Sequence, residues 1–225
     1  MNRISRQFVF IGLALCCYSQ AVASPSLSFL SRGEELEAQK QYKAAAENYS
    51  EAIADDPHLA QAFLGRGRVF CQLKKWQDAA SDLSKAIDMG LARANVYLLR
   101  AQAYTALKQG ESAVEDCTKA LHLKPAEASA YRLRAQAYEQ LEEFPKALED
   151  CDKALKLNSG DAEAYYLRGK MSLSLEEFQR SVDDESKALE LNPQLKEALL
   201  VRSTAYRELG KQDLARQDKE KARHL

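Results

Sequence analysis

The chain has 225 residues, 46% hydrophobic and 29% charged, with a formal net charge of −1. That balance gives no general drive toward nucleic acid or an anionic membrane. Five cysteines and three histidines occur with no CxxC pair and no ligand spacing, so neither a metal nor another cofactor is expected.

From the N-terminus, Arg3 and Arg6 precede an apolar run from Phe8 to Cys17, and Ala21-Val22-Ala23 supplies the small-x-small pattern of a cleavage site. Residues 1–23 are therefore expected to form a secretory signal peptide, and the protein to be exported, periplasmic or secreted. The run is shorter than the ~20 apolar residues of a membrane span, which disfavours a retained anchor. A lipoprotein reading is weaker still, because Leu15 stands before Cys16 where a small residue is wanted. Cleavage leaves Cys71, Cys117 and Cys151. The last two hold equivalent places on neighbouring helices, which lie about 8–10 Å apart, too far for a disulfide span of under about 7 Å. Three free, mostly buried thiols are expected.

Beyond the leader the chain is periodic. Ala52, Ala86, Ala120, Ala154, Ala188 and Ala222 follow one another at 34 residues without insertion. Such a period marks a stack of units that bury their faces only against each other. The units run over 26–59, 60–93, 94–127, 128–161, 162–195 and 196–225, and residues 24–225 form a single solenoid. Position 8 of each unit is small (Gly33, Gly67, Ala101, Ala135, Gly169, Ser203), as is position 20 (Ala45, Ala79, Ala113, Ala147, Ser181, Ala215). Positions 4 and 11 are mostly aromatic, as in Phe63 and Phe70 or Tyr131 and Tyr138. Positions 4, 8 and 11 share one helical face, and 20, 24 and 27 share another. A polar break such as Leu141-Glu142-Glu143-Phe144 separates the two, so each unit is expected to be two antiparallel helices. Pro57, Pro125 and Pro193 fall at position 32, where a helix should stop, and Pro145 opens a second helix, where proline is tolerated.

These residues resemble the tetratricopeptide repeat (TPR) from Ser26 to Leu225. The resemblance implies an all-α, right-handed superhelical solenoid of antiparallel helix pairs. Departures are local: Leu91 and Ser159 replace the proline, Ser172 the aromatic at position 11, and Glu185 and Lys219 the large residue at position 24. The polar replacements near the C-terminus fit the need of a solenoid for a soluble end.

Position 7 is arginine in every unit, where the family usually has an apolar residue: Arg32, Arg66, Arg100, Arg134, Arg168 and Arg202. Sixteen residues later stand Asn48, Asp82, Asp116, Asp150, Asp184 and Asp218. The expected arrangement is a series of structural ion pairs, Arg66–Asp82 through Arg202–Asp218, with guanidinium and carboxylate in two parallel hydrogen bonds. A ladder neutralised in this way is not a ligand stripe.

By the resemblance, the first helices line a concave groove. Its expected ligand-binding residues are Arg68, Gln72, Gln102, Arg132, Gln136, Tyr166, Lys170 and Arg207, alongside leucines such as Leu98, Leu99, Leu133 and Leu167. That mixture suits an extended or helical peptide. The co-chaperone carboxylate clamp is missing, since its places hold Leu30, Glu34, Gly65, Asn95 and Leu99. No nucleophile–base pair, glycine-rich phosphate loop or metal set supports an enzyme. The expected function is a non-enzymatic, exported scaffold for a protein or peptide partner, with no nucleic acid, no membrane span after cleavage, and self-association as an option. The alternative is an assembly subunit acting through its ends or convex face, where Lys85, Lys119, Lys153, Lys187 and Lys221 form a row.

Overall fold

The structure is a computed structural model that describes residues 24–225. The expected leader and its cleavage site lie outside the described residues. Twelve helices, and no strand among the described residues, follow in six pairs. They are α1 (Pro25–Ala38) and α2 (Tyr42–Asp55), α3 (Ala60–Gln72) and α4 (Trp76–Asp88), and α5 (Ala94–Ala106) and α6 (Gly110–Leu123). Then come α7 (Ala128–Gln140) and α8 (Phe144–Leu157), α9 (Ala162–Ser174) and α10 (Phe178–Leu191), and α11 (Lys196–Glu208) and α12 (Gln212–Arg223). No described helix is long and apolar enough to cross a membrane.

The helices of a pair approach closely because position 8 has little or no side chain. A Cβ added at Gly67 would lie 2.9 Å from Leu83 Cγ, and one at Gly33 would lie 2.7 Å from Tyr49 Cε1. Position 24 thus fills the gap that position 8 leaves. The alanines at positions 20 and 27 are 0% exposed in most units, which makes the core a narrow strip that each unit extends. Cys71, Cys117 and Cys151 are free and buried in this strip. Burial pushes their thiols up to about 11, 12 and 12, so at neutral pH they are protonated and chemically quiet.

Between the helices of each pair the chain reverses through one left-handed residue at position 15. Lys40, Lys74, Lys108, Glu142 and Glu176 have φ of 57–62°, and Gly210 has 74°. Only the last unit uses the residue that adopts this conformation without steric cost. Lys108→Gly is therefore expected to raise stability by about 0.5–1 kcal/mol, read as a higher urea midpoint. An unchanged or lower midpoint would contradict the strain at this turn.

Five of the six position-7 arginines bond the aspartate sixteen residues on. In all five Arg–Asp pairs, arginine Nε donates to Oδ2 at 2.6–2.9 Å and Nη2 to Oδ1 at 2.6–3.0 Å. Each aspartate is buried, as Asp116 at 1% and Asp150 at 2% exposure illustrate. The third guanidinium nitrogen, Nη1, reaches back to position 25 of the preceding unit. It donates to Ser50, Ser84, Thr118, Asp152 and Ser186 at 2.7–3.1 Å. One arginine thus ties the two helices of its own pair and stitches that pair to the one before. The first three paired arginines also sit between the rings at positions 4 and 11, with Cζ 5.6–5.9 Å from each centroid. Arg32, with no earlier unit among the described residues, pairs with Glu35 on the surface, while Asn48 donates to the Ala44 carbonyl.

Candidate functional site

The first helices α1, α3, α5, α7, α9 and α11 each pack against the next, forming a continuous inner row. The spacing is set by position 3, which is buried alanine or valine in units two to six (Ala62, Val96, Ala130, Ala164, Ala198). One turn further round, positions 2, 5 and 9 emerge beside one another and make the groove.

A cleft in this row lies between α5 and α7 and has a volume of about 630 Å³. Leu98, Leu99 and Leu133 supply its apolar floor, and Asn95, Gln102 and Gln136 its polar edges. Arg132, Lys124 and Glu127 stand at one side. The structure therefore brings three of the eight expected groove residues, Gln102, Arg132 and Gln136, into one cleft. Arg68 and Gln72 lie on α3, Tyr166 and Lys170 on α9, and Arg207 on α11, along the same row but outside this cleft. Leu167 is not a groove residue: at 2% exposure it belongs to the core with Cys151 and Met171.

The four cations expected in the groove, Arg68, Arg132, Lys170 and Arg207, are each paired with a carboxylate. Arg68 pairs with Glu37, whose Oε2 also accepts from Tyr49 Oη at 2.8 Å. Arg132 Nε donates to Asp161 Oδ2 at 2.9 Å, and Asp161 in turn caps α9 by accepting from the Ala164 amide at 3.1 Å. Lys170 pairs with Glu139 at 2.5 Å, and Arg207 with its neighbour Glu208 at 3.0 Å on the exposed surface. The hydrogen bond to Glu37 holds Arg68 above its ordinary range. Burial raises the Tyr166 phenol, which is thus a neutral half-buried donor. Glu37, Glu139 and Asp161 are functional neighbours that the sequence reading passed over. The signal was present for two of them: an acid at position 12 stands 31 residues before a cation at position 9 in Glu37/Arg68 and Glu139/Lys170.

Three of the five convex lysines are paired with carboxylates in the same way, and a fourth lies over a ring. Lys119 and Lys153 bond Glu115 and Glu149 one turn away, Lys187 bonds Glu190, and Lys85 sits 5.1 Å from the Phe63 ring centroid. Among the described residues there is no group of three or more His, Cys, Asp and Glu able to hold a metal ion.

Paired helices stacked in one register around an inner groove define an α-solenoid, the class of fold that acts as a protein–protein interaction scaffold. Sequence profiles of the tetratricopeptide repeat match residues 30–90, 72–128 and 128–161. The chain belongs to the tetratricopeptide repeat family, whose members bind protein or peptide partners and are generally not enzymes. No curated protein matches the sequence.

Solved structures show the same fold at low identity. A TPR protein from Parabacteroides merdae superposes with a TM-score of 0.74 at 20% identity, over 88% of this chain and 78% of that one. PilF of Pseudomonas aeruginosa gives 0.70 at 17% identity, over 86% and 88%. YrrB, described as a TPR protein with an unusual peptide-binding site, gives 0.68 at 19% identity, over 77% and 90%.

Proposed function

We propose that this protein is an exported, non-enzymatic scaffold that captures an extended or helical peptide segment of a partner in the α5–α7 cleft. The observation that carries the reading is the composition of that cleft. Leu98, Leu99 and Leu133 offer apolar lining, while Asn95, Gln102 and Gln136 offer amides. Long amides beside leucines suit a ligand with apolar side chains on one face and a peptide backbone to hydrogen-bond. Because Arg68, Arg132 and Lys170 are already paired, recognition by net positive charge is a poorer fit. Export rests on the leader pattern at residues 1–23. The peptide-binding description of YrrB is consistent with the same use of the fold.

The test is selection of binders from a displayed random-peptide library against the purified protein. Peptides so obtained are expected to lose at least about tenfold in affinity toward Gln102→Ala/Gln136→Ala and to keep full affinity toward the convex variant Lys85→Glu. The opposite pattern, with loss only at Lys85, would transfer binding to the convex face and refute the groove reading.

A further inference from the structure

At positions 10, 14, 21 and 24 the two ends of the solenoid carry polar side chains where the internal junctions, Glu185 apart, carry apolar ones, and the polar side chains of the two ends match. The matching can be read from the contacts that repeat at each junction. Position 7 bonds position 25 of the preceding unit at all five internal junctions. Position 10 packs in one core cluster with position 24 of the preceding unit, as Val69 does with Tyr49, Ala103 with Leu83 and Met171 with Cys151. Position 14 meets position 21 in the same way, as Leu73 does near Ala46 and Leu107 near Ala80.

At the free end of the last unit, these places hold Arg216 (21), Lys219 (24) and Glu220 (25), which line an open cleft of about 560 Å³ with Arg223 at position 28. At the free face of α1 they hold Arg32 (7), Glu35 (10) and Gln39 (14). Carrying the internal register across two copies sets Arg32 against Glu220, Glu35 against Lys219 and Gln39 against Arg216. In these three pairs each cation meets an acid or an amide. A soluble end needs only polarity; it does not need opposite signs at matched positions. All four charged groups of the first two pairs are exposed, Arg32, Glu35 and Glu220 each at 57%; the Arg32–Glu35 and Arg223–Glu220 pairs are surface contacts within one helix, worth little, which docking would exchange for contacts between copies.

We propose that a second copy of this chain docks end to end, its α1 face on the α12 face of the first, so that the arginine series continues from one molecule into the next. The contact is heterologous and does not close on itself, so it builds short open chains that lengthen with concentration. It is held by exposed ion pairs, so it is weak and salt-dependent. It leaves the groove free and stands independently of the peptide-binding reading.

Sedimentation velocity of the purified protein tests this. At an ionic strength of about 10 mM, where charges act over ~30 Å, the weight-average sedimentation coefficient is expected to rise with protein concentration; at about 1 M it falls to the monomer value. Glu35→Lys and Lys219→Glu are each expected to weaken association at least about tenfold. Mixing the two variants, or combining both changes in one chain, is expected to restore it, because opposite charges again face each other. The residues are exposed, and circular dichroism is expected to show both variants folded. A monomer at every salt concentration overturns the proposal. So does association that ignores both reversals, as association through the apolar leader would, and so does failure of the mixture to recover.

Discussion

Asp150→Ala is expected to lower the unfolding free energy by about 3–5 kcal/mol, a large fraction of the ~5–15 kcal/mol that typically holds a domain together. Asp150 is 2% exposed and accepts two bonds from Arg134, at 2.6 and 2.9 Å. Removing it strands a mostly buried guanidinium whose remaining hydrogen-bond partner among the described residues is Thr118 Oγ1 at 3.1 Å. The cost is that of an uncompensated charge, and it exceeds the net worth of the pair itself. Arg134→Met/Asp150→Leu removes both charges and is expected to recover most of the loss. By contrast, Glu115→Ala breaks the exposed Lys119–Glu115 pair and is expected to change stability by less than about 1 kcal/mol. Urea unfolding of these four proteins, together with Arg134→Met and Asp150→Leu alone, decides the matter. Strictly additive losses at 134 and 150 would mean that the two side chains do not act as a pair.

What the sequence revealed and what it hid both follow from the period. The Arg–Asp pairs were legible because both partners recur in register, 16 residues apart, within five units. The third contact of each arginine was equally periodic, in Ser50, Ser84, Thr118, Asp152 and Ser186. It escaped notice because hydroxyls are common on helices and because the contact crosses between units, which spacing inside one unit does not reveal. The groove was legible as a row of positions but not as a set of charges. Arg68, Arg132 and Lys170 read as ligand-binding residues, and the acids that the fold brings to them, Glu37, Asp161 and Glu139, were not legible there. Position 6 shows the limit of a rule applied uniformly. Leu99 and Leu133 line the cleft, whereas Leu167, in the same register, is in the core. The polar residues near the C-terminus were read together as a soluble end. That holds for Lys219, which is exposed, and fails for Glu185, which is 0% exposed one unit earlier.

Glu185→Leu is expected to stabilise the protein by about 2–4 kcal/mol at pH 7 and to flatten its pH dependence. The Glu185 carboxyl lies against Gly169, where an added Cβ would be 2.6 Å from Oε1, and neither oxygen has a hydrogen-bond partner among the described residues. Burial, reinforced by the neighbouring Asp184 carboxylate and only partly offset by Arg202 and Lys170, pushes its pKa up from 4.5 to about 10. The folded protein therefore keeps this proton at neutral pH, while the unfolded chain releases it. Between those two values the native state binds one more proton than the unfolded state. Stability consequently falls as pH rises from about 4.5 toward 10, by about 1.4 kcal/mol per unit. Leucine fits the site on the protein's own showing: Leu83 occupies the equivalent place against Gly67, with an added Cβ there 2.9 Å from its Cγ. Glu185→Gln separates the two contributions, since it removes the titration but keeps a buried polar group. Its stability is expected to lose the same pH slope while staying below that of the leucine variant. Urea unfolding at pH 5, 7 and 9 reads all three proteins. A parent protein whose stability stays level across that range would show that Glu185 is ionised in the fold. A leucine variant no more stable than the parent at pH 7 would show that its burial carries no cost.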